Sequence, residues 1–146
     1  MTLATAIEET QGALQELREL AHGIYPAVLA EAGLAPALAT LADTAPLPVQ
    51  ILRAGDRRYP APVEAAAYFT VAEAVDDAAR RGADRAVVTA APDGGRLVVT
   101  VEDNGTERDS PMVTLADRVG ALGGRLFIKE TVCRAEIPCA SSSPTT

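Results

Sequence analysis

The stretch from Pro62 to Gly82, PVEAAAYFTVAEAVDDAARRG, constrains the fold more than any other part of the chain. Pro62 suits a first helical position, where a missing N–H costs nothing, and Gly82 suits the stop, so the segment predicts one long helix. Tyr68, Val71, Val75 and Ala78 recur along it at helical spacing and predict a core-facing stripe. Glu73, Asp76, Asp77, Arg80 and Arg81 crowd its last turns. Acid and base gathered at one end of an apolar helix read either as a solvated terminus or as part of a site.

Upstream, Leu3, Ile7, Thr10, Leu14, Leu17, Ala21 and Ile24 alternate steps of four and three, with charged residues on the flanks. So narrow a stripe predicts the seam of a coiled coil or antiparallel helix pair, and hence a partner helix, in the same or another chain. Tyr25-Pro26 ends it, because the residue before a proline is pushed out of the helical region. His22, the single histidine, falls on the flank. It reads as an exposed helix histidine, with a phosphoacceptor or proton-transfer role as the alternative.

A second helix is predicted from Leu34 to Ala42, after Gly33, and a short strand over Val49–Leu52. Beyond the long helix, Asp84–Ala91 and Arg96–Glu102 read as strands joined by the turn Pro92-Asp93-Gly94-Gly95. A further helix over Val113–Leu122 is closed by Gly123-Gly124, and Arg125–Lys129 and Thr131–Pro138 form a last strand pair. The tail from Ala140 to Thr146 has a disordered composition. Hairpin-joined strands with helices to cover one face predict an α/β (α+β) two-layer sandwich. Its sheet is mixed but mostly antiparallel, under three helices, and is preceded by the long N-terminal helix. The division is 1–26 for the seam helix, 27–139 for the folded domain and 140–146 for the tail.

Composition enters as a set of exclusions. A net charge of −7 argues against a nucleic-acid backbone as partner. No apolar run reaches the length of a membrane span and the N-terminus lacks a signal-peptide pattern, so a cytoplasmic chain, or a segment excised from one, is expected. Cys133 and Cys139 lie in one extended segment and are expected to be reduced.

Four stretches together resemble a known family. Leu17 to Leu29 followed by Gly33-Leu34 is similar to the junction between the dimerisation helices and the ATPase domain of nitrate/nitrite-sensor-type histidine kinases. Ala72 to Arg81 resembles that family's N box, Val101-Glu102-Asp103-Asn104-Gly105 its first glycine box, and Leu115 to Leu126 its distal helix-turn-strand. The resemblance implies the HATPase, or Bergerat-type, ATP-binding fold shared with gyrase and MutL. It implies ATP or ADP as ligand with Mg²⁺, and transfer of a phosphoryl group to histidine in two-component signalling. Asp103 would accept a hydrogen bond from the adenine amino group and Gly105 would let the backbone pass the base. Glu73 would be the catalytic acid, Asp77 the metal ligand, and Arg80, Arg81 and Leu115 further nucleotide contacts. The implied partners are a histidine-bearing dimerisation helix, a response regulator, or a second copy paired through the N-terminal helix.

The departures from the pattern fall on one side of that site. Asp77 stands where the family has asparagine and Arg81 where it has histidine, while Asp109 to Thr114 holds no glycine. Pro111 has no N–H to offer a phosphate and Asp109 would repel one. Lys129-Glu130-Thr131 replaces the family's Gly-Gly-Thr turn, and the chain carries no phosphoacceptor helix. The expectation is therefore an intact adenine half beside an eroded phosphate half. Alternatives are a catalytically inactive histidine-kinase-like module that acts by helix pairing, and an anti-sigma-type serine kinase of the same fold.

Overall fold

The computed structural model describes residues 27–54, 57–107 and 112–139. The seam helix, His22, the loop residues 108–111 and the tail lie outside them. Among the described residues, four helices and five strands follow in the order α1 (Ala27–Ala32), α2 (Leu34–Thr44), β1 (Val49–Ala54), α3 (Ala61–Arg80), β2 (Ala86–Asp93), β3 (Arg96–Asp103), α4 (Val113–Gly120), β4 (Arg125–Lys129) and β5 (Val132–Pro138). The sheet order is β1-β2-β3-β5-β4. β1 runs parallel to β2 and every other pair is antiparallel. A parallel neighbour needs a crossover, and α3 supplies it. The mixed α+β sandwich expected from the sequence is the observed fold.

The β2–β3 hairpin is set by its turn. Asp93 pairs with Arg96, and the two residues between them, Gly94 and Gly95, sit at φ 60° and 80°. Two consecutive positive φ angles make the tight turn whose twist matches the strands, and glycine adopts both without strain. Along the two strands Ala86, Val88 and Ala90 face Leu97, Val99 and Val101 in the core, and Cys133, Ala135 and Ile137 of β5 continue that face. Half-buried Val87, Thr89, Val98 and Thr100 alternate onto the other face.

α3 lies on the core face because its apolar arc is wide and its side chains are small. Ala66, Ala67, Val71, Ala74, Val75 and Ala78 are all buried, so the helix backbone approaches the sheet closely. Tyr68, expected in this stripe, is only half-buried, and Phe69 takes the interior position instead. Pro60 is the N-cap, Pro62 falls in the first turn, and Gly82 follows the C-cap Arg81 at φ 79°. α4 docks beside α3, with the Arg118 guanidinium 4.3 Å from the Phe69 ring centroid.

One helix was not foreseen. α1, AVLAEA, begins directly after Pro26, where a proline can open a helix as well as end one. Gly33, at φ 95°, ends it and caps α2. The corner is held by a buried charge that the hydrophobic pattern hides. Glu64 of α3 has no exposed side-chain surface and accepts Arg58 Nε at 3.0 Å, Arg58 Nη2 at 3.1 Å and the Tyr59 N–H at 3.2 Å. Arg58 also reaches the Ala30 carbonyl at 3.2 Å, which ties α1 to the entry of α3. Gly33 at φ 95° holds a backbone conformation that side chains rarely adopt, and a Cβ there would also crowd the Arg58 side chain at 2.7 Å.

Candidate functional site

The C-terminal end of α3, the end of β3 and the start of α4 converge because β3 is paired to β2, whose first residue follows α3 by a short turn. Asn104, just after β3, fastens the turn. Its Oδ1 accepts the N–H groups of Asp84 and Arg85 at 2.9 and 3.2 Å. Thr106 N–H donates to the Arg81 carbonyl at 3.0 Å. The 103–106 loop is thus wrapped onto the cap of α3.

Inside that wrap sits Arg81. Its Nη1 and Nη2 donate to the two oxygens of Asp103 at 3.1 and 2.6 Å, and its Nε donates to Asp77 Oδ2 at 2.7 Å. Nη1 also donates to the Thr106 carbonyl at 2.6 Å. Asp103 Oδ1 accepts the Gly105 N–H at 2.9 Å as well. The Asp103 side chain has no exposed surface and that of Arg81 only 9%. Burial alone would lower the Arg81 pKa. Hydrogen bonds to Asp103 and Asp77, with their charges, outweigh that and hold it above its ordinary value. The pair is a bidentate fork of charge-assisted bonds, the strongest kind that side chains make.

Beside this cluster opens a cleft of about 310 Å³ lined by Glu73, Asp77 and Arg80 from α3 and by Met112, Val113, Thr114 and Leu115 at the start of α4. Asp77 belongs to both places: its carboxylate meets Arg81 on one side, approaches Arg80 at 3.6 Å and lines the cleft. Leu115 is buried in the core and lines the cleft. Met112 caps α4 in the left-handed region at φ 49°. No group of three or more His, Cys, Asp or Glu gathers around one point among the described residues.

The structure therefore divides the residues that the sequence singled out. Glu73, Asp77, Arg80 and Leu115 share the cleft. Asp103, Gly105 and Arg81 lie next to it as an internal cluster. Gly105 is tight against the protein itself: a Cβ there would come within 3.1 Å of the Arg81 carbonyl and 3.2 Å of Ala83. At Asp103, where the resemblance sets adenine, both carboxylate oxygens accept Arg81 and the side chain is enclosed. The pairing went unread in the sequence, where Arg81 stands out only as a base four residues after Asp77 at a position the family gives to histidine. The i,i+4 spacing on one helix signals only the Arg81–Asp77 half of the cluster; nothing in the spacing points to Asp103.

No family model matches the chain. It is 31% identical over 126 residues to the sensor histidine kinase MctS of Rhizobium johnstonii, covering 82% of this chain and 27% of that protein. The chain thus spans about a quarter of the length of the curated relative it matches. The crystal structure of the ATP-binding domain of PrrB from Mycobacterium tuberculosis superposes with a TM-score of 0.52 at 18% identity, over 74% of this chain and 92% of that one. The chain is similar to part of a sensor histidine kinase and has the fold of a histidine-kinase ATP-binding domain. No helix among the described residues is long and apolar enough to cross a membrane.

Proposed function

We propose that this chain is the ATP-binding domain of a two-component sensor histidine kinase, with its nucleotide-facing side at the cleft between α3 and α4. The observation that supports this most is that Glu73, Asp77 and Arg80 of the N-box-like stretch meet Leu115, from a second motif, on one cleft. The reaction class is phosphoryl transfer from ATP to a histidine on a dimerisation helix, with residues 1–26 as the pairing element and a cytoplasmic setting. The cleft supplies the carboxylates Glu73 and Asp77 and the cation Arg80, a balance that repels a polyphosphate in the absence of a bound divalent cation. Phosphate grip, and with it transfer, is therefore weak.

Calorimetric titration of the full chain with ADP and ATP, with and without Mg²⁺, tests this. Binding of both nucleotides with less than about a tenfold gain from the γ-phosphate, about 1.4 kcal/mol, is expected. Absence of any nucleotide binding, in the natural chain and in variants of its arginines, would sink the reading.

The Asp103–Arg81 fork favours a second reading, in which the domain is a non-catalytic partner of a kinase and acts through its N-terminal helix. Under that reading Leu14→Asp or Leu17→Asp abolishes dimerisation, seen by light scattering, while added Mg²⁺ changes nothing.

A further inference from the structure

Asp103 carries its own ligand. Two N–H groups of Arg81 lie along the two oxygens of the carboxylate, and the Gly105 N–H takes a further acceptor position on Oδ1. A purine amino group offers the same carboxylate a neutral donor. The guanidinium offers two donors and a full positive charge, and it is anchored four residues from Asp77, which holds its Nε. Between a tethered cation and a diffusing neutral base, the cation wins in a site closed to water.

We propose that Arg81 is an internal competitor for the nucleotide, which closes the base-binding carboxylate in the resting chain and sets how weakly an adenine nucleotide binds. This inference rests on the proposed function and on the base-binding role that the family resemblance implies for Asp103. Release needs no rearrangement of the sheet. Arg81 lies at the C-cap of α3, Gly82 follows at φ 79°, and neighbouring Arg80 is already largely exposed. Release parts Nη1 and Nη2 from Asp103 and Nη1 from the Thr106 carbonyl, while the Nε bond to Asp77 keeps the side chain within reach. The apparent dissociation constant is then the intrinsic one divided by the fraction of chains in which Asp103 is released. For a buried fork that fraction is on the order of 1% or less.

The test is calorimetric titration of ADP into the full chain and into Arg81→Ala, Arg81→His and Arg81→Ala/Asp103→Ala. Far-ultraviolet circular dichroism and thermal melts would establish that each is folded. Arg81→His keeps a polar side chain at the cap in case removal of the whole side chain unfolds the corner. The expected result is a gain in ADP affinity of about 100-fold in Arg81→Ala or Arg81→His, abolished when Asp103 is also replaced. Equal, micromolar affinity in the natural chain and both single variants would overturn the competitor while leaving the nucleotide reading intact. An unchanged gain in the double variant would overturn the role of Asp103. Failure of every folded variant to bind ADP would overturn the nucleotide reading itself and the competitor with it.

Discussion

Arg81 and Asp103, twenty-two positions apart, meet through Nη1–Oδ1 and Nη2–Oδ2 at 3.1 and 2.6 Å, with the carboxylate fully enclosed. The contact closes the corner between the α3 cap and the end of β3, so it has a structural as well as a binding consequence. Asp103→Ala leaves the guanidinium enclosed without its main partner and frees the Gly105 N–H. A loss of about 3 kcal/mol in urea unfolding is expected. Loss of ligand binding in that single variant would then report unfolding as readily as a missing contact.

A double-mutant cycle separates the pair from its surroundings. Arg81→Ala and Asp103→Ala share one interaction, so their effects on stability should fall short of additivity by about 1 to 3 kcal/mol. Strict additivity would mean that the fork contributes nothing beyond the separate packing of its halves.

The Glu64 carboxylate organises the opposite end of α3. It accepts three donors, two of them from Arg58, with none of its side chain exposed. Glu64→Ala takes the acceptor from all three donors and leaves a hole, with an expected cost of about 2 to 4 kcal/mol. Arg58 is half-exposed and rehydrates its freed end, which keeps the loss from rising further. A shift of under about 0.5 kcal/mol would reduce Glu64 to an ordinary surface acid.

Glu130 closes the β4–β5 hairpin at φ 53°, a region that disfavours a side chain. Glu130→Gly should raise stability by about 0.5 to 1 kcal/mol, the relief of strain exceeding the added unfolded-state entropy. Gly124→Ala should act in the other direction. Its Cβ would sit 2.5 Å from the Glu136 carbonyl oxygen and 2.9 Å from Val119 Cγ1, so overpacking costs about 1 to 3 kcal/mol. Paired thermal melts would show both signs in one experiment.

Burial pushes the Cys139 thiol up, and the positive charge of Arg57 pulls it only partly back. A thiol raised above its unfolded value holds its proton longer in the folded chain. Its contribution is fully present below the unfolded pKa of about 8.5 and is lost as pH rises through the folded value. Replacement by serine should therefore flatten any fall in stability above about pH 9. Iodoacetamide at pH 8.5 should label Cys139 more slowly than it labels a free thiol, and buried Cys133 not at all while the chain is folded.

The fold was largely legible because its signals are local. Gly94-Gly95 dictates its turn, the alternation from Ala86 to Val101 dictates two strands, and Pro62 and Gly82 bracket a helix observed at Ala61–Arg80. α1 was missed because a proline can end one helix and begin the next. Glu64 was missed because a single acid on a broad apolar arc reads as surface until its partner is known. Four of the seven residues assigned to a site share one cleft, while the state of the other three could not be read from spacing.

By itself the sequence determined where the chain turns, which faces are apolar, and that acid and base gather at one end of the longest helix. Only the tertiary structure decided that Arg81 is the partner of Asp103. Hairpin pairing carries the end of β3 back to the cap of α3, and a guanidinium and a carboxylate enclosed together satisfy each other before any solute arrives.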